Sequence, residues 1–225
     1  MKHTIMKKHF FLILLLFLMT SSIISASDFS SRAYWISTGL TQSTPNTWLC
    51  FRKTFNLKEV PKQLMASIAA DTKYWLWING QQVVFEGGLK RGPAPGGSYY
   101  DKIDIAPYLN KDENTIAILV WHFGKNGFTH QNSGTCGLLF SAQSPEISIV
   151  SDHSWQSREY DAYTNTDAPF PNFRLPESNI RFDARKKTDG WNMPGYRENF
   201  GASEIVGNPD KAPFGKLVLR PIPMW

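Results

Sequence analysis

The sequence predicts an all-β protein whose strands pack into a β-sandwich, and three observations support this. Short apolar runs separated by turn residues recur from residue 34 to about residue 160, and several alternate with the period of a strand. The 16 glycines and 14 prolines have no period and interrupt every helical pattern beyond the N-terminal segment. With 42% hydrophobic, 14% aromatic and 19% charged residues, the chain can build a packed core.

Residues 1–26 have the pattern of a secretory signal peptide. Residues 1–9 carry three lysines and no acid, and ten consecutive apolar residues follow from Phe10 to Met19. This run is shorter than the roughly 20 residues that span a bilayer, and small residues follow it up to Ala26. We therefore expect cleavage after Ala26 and a mature protein that is secreted or periplasmic, with no membrane attachment.

The positive charge is concentrated in this first segment. The formal net charge is +5, but residues 27–225 contain 21 basic and 19 acidic residues, a net charge of +2. The densest basic run that remains is Arg185-Lys186-Lys187, which is typical of a solvated face. Nucleic acid is therefore not expected as a partner.

The first strands follow from their alternation. Residues 48–55 place Leu49, Phe51 and Phe55 on one face of a strand, and residues 65–70 form a second apolar run. We expect both runs to face the core between two sheets.

A hairpin follows them. Asn79-Gly80 separates the apolar runs 73–78 and 81–85, and this dipeptide favours a type I′ turn because both turn residues need a positive φ.

The later strands are signalled by continuous apolar runs. Residues 116–121 are six consecutive apolar residues, as expected of a strand covered on both faces. Residues 138–140 and 147–150 add two more candidates, and residues 105–109 predict a short helical turn. We place the sandwich core at 27–160.

Two irregular stretches remain. Residues 87–98 form a long glycine-rich loop, and residues 161–225 contain many Pro, Asn, Asp and Gly residues. Because the second stretch is too long for a plain connection, we expect an extension that wraps the sandwich or bridges to another domain.

Cys50 and Cys136 are the two cysteines. In an oxidising compartment they could form a disulfide that closes a long loop and adds about 4 kcal/mol. Alternatively, each is a small buried hydrophobic residue in its own strand. No cysteine or histidine spacing predicts a metal site, so we expect no cofactor, and the sequence leaves open whether a turn holds structural Ca²⁺.

An ordered set of motifs is similar to a known family. The set comprises AADTKYWLWING (69–80), VFEGGLKRGP (84–93), YYD (99–101), NTIAILVW (114–121), SDHSW (151–155), FDAR (182–185) and RPIP (220–223). Together they resemble the N-terminal β-sandwich, a jelly-roll of the galactose-binding-like type, of bacterial α-L-rhamnosidase-like glycoside hydrolases. The resemblance covers about residues 33–225.

The resemblance implies an accessory role. In that family the sugar-cleaving carboxylates lie in a following (α/α)6 barrel, and no position of this sequence matches their motifs. The acids here stand singly at turns rather than as the pair that glycoside hydrolysis needs. We therefore expect no catalytic residue in this chain, and we expect an accessory module, as a truncated form or fragment, that docks on a catalytic (α/α)6 barrel. A stand-alone carbohydrate-binding module is the alternative, with rhamnose-containing plant-type or bacterial glycans as partners.

Four residues are candidates for weak carbohydrate contact. Trp75 and Trp77 project from the same strand face, where their indoles could stack on sugar rings or instead fill the core or a domain interface. Arg91, in the 87–98 loop, could donate a fork of hydrogen bonds to vicinal hydroxyls or simply lie exposed. His122 ends the most hydrophobic strand, as a contact at the rim of the sandwich or as a satisfied strand-end residue.

Overall fold

The chain folds into a two-sheet β-sandwich, which confirms the predicted all-β class. The computed structural model describes residues 28–39, 44–89, 92–93, 96–127, 130–166, 179–198 and 200–224. Within these ranges the strands form one seven-stranded sheet, one six-stranded sheet and one two-stranded ribbon. The predicted signal peptide lies outside the described residues. In the ranges given above, no helix has the length and apolar character needed to cross a membrane.

The seven-stranded sheet is antiparallel except at one edge. The edge strand β15 (Lys216–Leu219) runs parallel to β6 (Gly97–Asp104), with Lys216 opposite Gly97 and Leu219 opposite Tyr100. A parallel pair needs a long crossover, and residues 105–215 supply it here. In spatial order the strands are β14 (Glu204–Gly207), β1 (Trp35–Ser37), β8 (Gly137–Gln143), β3 (Met65–Asp71), β6 (Gly97–Asp104) and β15 (Lys216–Leu219), with β9 (Ser148–Val150) also paired to β8.

The six-stranded sheet is built around one long antiparallel pair. Its spatial order is β13 (Gly201–Ala202), β10 (Gln156–Glu159), β2 (Thr47–Leu57), β7 (Asp112–His122), β4 (Lys73–Ile78) and β5 (Gln81–Gly87). Strands β2 and β7 pair along their whole length, from Thr47 opposite His122 to Leu57 opposite Asp112. The ribbon pairs β11 (Tyr163–Asn165) with β12 (Ile180–Phe182).

The predicted hairpin and helical turn are both present. Strands β4 and β5 pair antiparallel across Asn79 and Gly80, whose φ angles of 53° and 82° are both positive, as a type I′ turn requires. A single 3₁₀ turn occupies Ala106–Tyr108, inside the predicted residues 105–109.

The core lies between the two sheets and follows the strand alternation. Leu49 and Phe51 of β2 face it, as predicted, together with alternate residues of β3, β4, β7 and β8. Residues 116–121 are buried on both faces, which confirms the expectation of a doubly covered strand.

The outer faces of both sheets also carry buried apolar side chains. On the six-stranded sheet they pack with residues from the stretch 160–200, including Tyr160 and Trp191. On the seven-stranded sheet they pack with Phe29 near the start of the described chain and with Phe214 before β15. Each sheet is therefore covered on both sides, as two-sided apolar strands require.

The predicted boundary at residue 160 does not separate a core from an extension. Strands β13, β14 and β15 all lie beyond it and belong to the two main sheets. These three strands are only two to four residues long and none of their residues is fully buried, so their apolar runs, the longest being Leu217-Val218-Leu219, are a weak signal.

Candidate functional site

The outer face of the six-stranded sheet holds the tryptophans that the sequence singled out. Trp75 and Trp77 are half-buried on this face, whereas Tyr74, Leu76 and Ile78 are buried in the core on the other. The predicted orientation of the two tryptophans is thus confirmed.

Trp48 is the centre of a row of aromatic rings on this face. Its ring centroid lies 5.2 Å from that of Trp75 and 4.2 Å from that of Tyr163, and Tyr163 lies 4.8 Å from Phe182. We call Trp75, Trp48, Tyr163 and Phe182 the aromatic row. Trp77 meets Trp191 edge to face with the centroids 5.7 Å apart. Such arrangements are favoured by the ring quadrupoles and stabilise the cover of this sheet.

The cover is the chain's own segment 179–198, and Arg52 holds it. The Arg52 guanidinium, 3% exposed, donates hydrogen bonds to the carbonyls of Met193 and Tyr196 at 3.1 and 3.2 Å. It also lies 5.5 Å from the centroid of the Tyr196 ring. Burial lowers the pKa of this guanidinium. Segment 179–198 of the same chain therefore covers much of the sheet face that carries Trp75 and Trp77.

One corner of this face remains open. Phe85 of the edge strand β5 is 63% exposed and follows Val84, which is buried in the core opposite Leu76. Met193 is 46% exposed and lies over the β4–β5 turn, where a Cβ on Gly80 would come within 2.0 Å of its sulfur. We call Trp77, Phe85 and Met193 the edge patch.

His122 does not contact the surface, which corrects the hypothesis of a ligand contact at the rim. Its side chain is fully buried at the end of β7, and its Nδ1 donates to Asp71 Oδ1 at 2.9 Å. The ring lies against Gly124, where a Cβ would come 2.9 Å from His122 Nε2 and 2.8 Å from the Cα of Pro45. His122 thus links the ends of strands from the two sheets. Arg91 lies outside the described residues.

Cys50 and Cys136 form no disulfide, so that alternative is wrong. Both are buried free cysteines. Cys50 points to the outer face of the six-stranded sheet, whereas Cys136 lies in the core between the sheets. Burial raises the pKa of both thiols well above the ordinary value.

A polar cleft lies at the end of the sandwich where β3, β5 and β7 finish. It has a volume of about 180 Å³. The floor includes Asp71 and Thr72, both nearly fully buried. The described residues that line it are Ala70, Asp71, Thr72, Leu89, Gly92, Gly96, Gly97, Ser98, Tyr99, Gln131, Asn132, Ser133, Pro213 and Phe214.

The two most buried acidic residues of the described chain, Asp71 and Asp101, are held by hydrogen bonds within the fold. Asp101 accepts hydrogen bonds from Tyr74 at 2.8 Å and from the backbone N–H of Gly88 at 2.9 Å, and it pairs with Arg220. Asp71 accepts from His122 and from the Thr72 hydroxyl. Because glycoside hydrolysis needs two carboxyl groups directed at the scissile bond, these acids are not arranged for it.

The sequence indicated one group of residues that line the cleft but gave no local signal for the other. The glycine-rich loop 87–98 was recognised, but Gln131, Asn132 and Ser133 were not. The available signal was topological, since the β5–β6 and β7–β8 connections emerge at the same end of an antiparallel sandwich.

The same fold occurs in solved structures of rhamnosidases and of a lectin. The GH78 family rhamnosidase of Bacillus sp. GL1 matches 86% of this chain at 27% identity with a TM-score of 0.72, over 20% of its own length. The α-L-rhamnosidase of Aspergillus terreus matches 80% of this chain at 22% identity (TM-score 0.60), over 22% of its own length. The Pleurotus ostreatus lectin in complex with GalNAc matches 86% of this chain at 17% identity (TM-score 0.52), over 49% of its own length.

These matches confirm the resemblance to a β-sandwich domain of rhamnosidase-like proteins. The chain spans only about a fifth of the length of the two rhamnosidases. No protein-family model and no curated protein sequence matches it.

Proposed function

We propose that this chain is a non-catalytic accessory domain of a secreted α-L-rhamnosidase-type glycoside hydrolase and that it docks on a catalytic (α/α)6 barrel. The main support is one relationship: 86% of this chain corresponds to 20% of a rhamnosidase, so most of that enzyme has no counterpart here. The barrel would be supplied by the remainder of a longer protein or by a separate chain.

The edge patch is the surface that would dock. Large apolar side chains that cluster at an exposed sheet edge mark an interaction site more often than a plain surface. Phe85 is the most exposed large apolar residue of the described chain, and Trp77 and the exposed Met193 lie toward the turn of the same β4–β5 hairpin. An aromatic anchor flanked by apolar contacts is typical of the centre of an interface.

The absence of catalysis is tested by assay. The purified protein, given an aryl α-L-rhamnoside, is expected to produce no aglycone above the uncatalysed rate. The buried carboxylates of Asp71 and Asp101 already accept hydrogen bonds within the fold, which supports this expectation. Turnover at the rates of ordinary glycosidases would overturn the proposal.

A second candidate function is a stand-alone carbohydrate-binding module. It is favoured by the partly exposed indoles of Trp75 and Trp77, with Arg91 of the adjoining loop as a further candidate, and by the lectin that shares the fold. Rhamnose-containing glycans are the first ligands to try. Titration with L-rhamnose oligosaccharides should then change the tryptophan fluorescence, and no response at millimolar sugar would reject this candidate.

A further inference from the structure

We infer that Met193 is an oxidation site, and that its conversion to the sulfoxide by a peroxide loosens the cover of the six-stranded sheet. The inference concerns how segment 179–198 is held on this chain alone. It therefore does not rest on the docking proposal, although Met193 belongs to the edge patch.

The Met193 thioether is partly open to solvent and partly seated on the chain. The residue is 46% exposed. Its sulfur and terminal methyl group lie directly over the β4–β5 turn, since a Cβ on Gly80 would come within 2.0 Å of Sδ and 3.1 Å of Cε. A small oxidant can therefore reach the side chain, and an oxygen atom added to the sulfur enlarges a group that already touches the turn.

The turn beneath the sulfur is fixed. Asn79 Oδ1 accepts a hydrogen bond from the backbone N–H of Thr115 at 2.9 Å, and the Asn79 N–H donates to the Thr115 carbonyl at 2.9 Å. Asn79 Nδ2 donates to the Tyr108 carbonyl at 3.0 Å and to Asn114 Oδ1 at 2.8 Å. Because these four bonds tie the turn to β7 and to the 3₁₀ turn, the turn does not yield easily to a larger group above it.

The cover on the other side of this contact is held differently. The described residues between β12 and β13 belong to no strand, so no ladder of backbone hydrogen bonds holds them. Arg52 donates to the Met193 carbonyl at 3.1 Å. Glu113 accepts a hydrogen bond from the Gly195 N–H at 3.1 Å. Because single side-chain bonds such as these fasten the stretch, it is the cover that moves when the group between cover and turn becomes larger.

The oxidation needs a peroxide as its oxidant. The Met193 sulfur attacks one oxygen of hydrogen peroxide, and the S–O bond forms as the O–O bond breaks. The second oxygen leaves as water after it takes up the proton of the first, and the sulfur loses the two electrons that the peroxide gains. The product is a polar, larger group in place of a flexible apolar thioether, and this change disrupts the apolar contacts of a methionine.

The other sulfur atoms of the described chain provide the comparison. Cys50 and Cys136 are buried and burial raises the pKa of both thiols, so neither presents the thiolate that reacts with peroxide. Met224 is partly buried against the core. Met65 is 40% exposed, close to the exposure of Met193, but it lies at the start of β3 in the other sheet. Oxidation of Met65 is therefore a matched event that leaves the cover untouched.

Hydrogen exchange of the peroxide-treated protein tests the inference. The purified protein is treated with hydrogen peroxide, peptide mass spectrometry locates the added oxygen atoms, and amide exchange is compared before and after treatment. Exchange in residues 190–197 should accelerate by about 3- to 10-fold, the factor expected for the loss of one small apolar contact, while β2 and β7 stay protected. Methionine sulfoxide reductase should then restore the original rates.

Two variants assign the effect to one sulfur atom. Met193→Leu keeps an apolar side chain of similar volume but has no sulfur, so peroxide should leave its exchange rates unchanged. Met65→Leu should respond like the parent protein.

Five results would overturn the inference. They are a Met193 sulfur that takes up no oxygen, a Met193 sulfoxide that exchanges at the parent rate, a Met193→Leu variant that still accelerates, a Met65→Leu variant that no longer does, and a reductase that removes the oxygen without slowing exchange. All are read on the isolated protein, so none depends on docking to a barrel.

Discussion

Arg220 and Asp101 form an ion pair in the interior of the protein, with their side chains 3% and 2% exposed. Arg220 follows the parallel edge strand β15, whereas Asp101 lies in β6. Asp101 also binds the Tyr74 hydroxyl and the Gly88 N–H, so one carboxylate joins four parts of the chain. Residues 208–224 are thereby fastened to the sandwich, although the short apolar run Leu217-Val218-Leu219 is only a weak sequence signal for them.

Arg220→Ala should destabilise the protein by about 3–5 kcal/mol, because it leaves the Asp101 carboxylate buried without its cation. Chemical denaturation of the purified variant measures this. Arg185→Ala is the matched control, since Arg185 pairs with Asp183 on an exposed surface and its removal should leave the unfolding midpoint unchanged. Equal stability of the two variants would contradict the structural role of the buried pair.

Stability should fall as the pH rises above about 10. Burial and the neighbouring Asp101 raise the pKa of Tyr74 well above its ordinary value of 10.0, and burial and a bond to Glu198 raise the pKa of Tyr196 to about 12. Above pH 10 the unfolded chain loses phenolic protons that the native chain keeps, so the free energy of unfolding decreases with pH.

Tyr74→Phe tests this pH dependence. The free energy of unfolding of the variant should be about 1–3 kcal/mol lower at neutral pH, because Asp101 loses a hydrogen-bond donor. Above pH 10 it should decline less steeply than that of the parent protein. Denaturation midpoints across this pH range measure both effects. An unchanged slope would show that Tyr74 ionises as easily in the folded as in the unfolded chain.

The cysteines should be inert in the folded protein. Because both thiols are buried and have raised pKa values, a maleimide should label them only as the protein unfolds. Because they are not joined in a disulfide, a reductant should leave the unfolding midpoint unchanged. Mass spectrometry of the labelled protein gives the number of modified cysteines. A midpoint that falls on reduction would mean that Cys50 and Cys136 pair after all.

The failed disulfide shows where sequence reasoning stopped. Cys50 lies in strand β2 as expected and Cys136 lies directly before β8, but the face to which each side chain points depends on register, and one residue of register reverses it. The strands that alternate strongly, such as those containing Leu49 and Leu76, and the Asn79-Gly80 turn could be predicted because their signal is local.

The cleft and the 208–224 segment could not be predicted in the same way. Their residues come together through contacts between distant parts of the chain, such as Ser98 with Phe214 and Asp101 with Arg220. His122 was placed correctly at a strand end, but its surroundings are not purely local, because Gly124, two residues further on, lies against both the His122 ring and Pro45 of a distant segment.

Trp191→Ala should loosen the cover of the six-stranded sheet. Trp191 is 6% exposed and packs on Trp77 and Tyr160, so its loss should cost about 3 kcal/mol. Hydrogen exchange should speed up in residues 179–198, while the amides of the central strands β2 and β7 stay protected. Phe182→Ala, at a residue that is 47% exposed, should have a smaller effect. Uniform acceleration across the whole chain would argue against a separate cover.

The role of this sandwich as an accessory domain is tested most directly by a transplant. The matching sandwich of the Bacillus sp. GL1 rhamnosidase is deleted, or replaced by this chain with or without Phe85→Ser, and the residual activity after heating is measured. We expect the deletion variant to lose activity readily on heating, the unmodified transplant to restore much of the heat resistance, and the Phe85→Ser transplant to restore less. A transplant that performs no better than the deletion would contradict the accessory role.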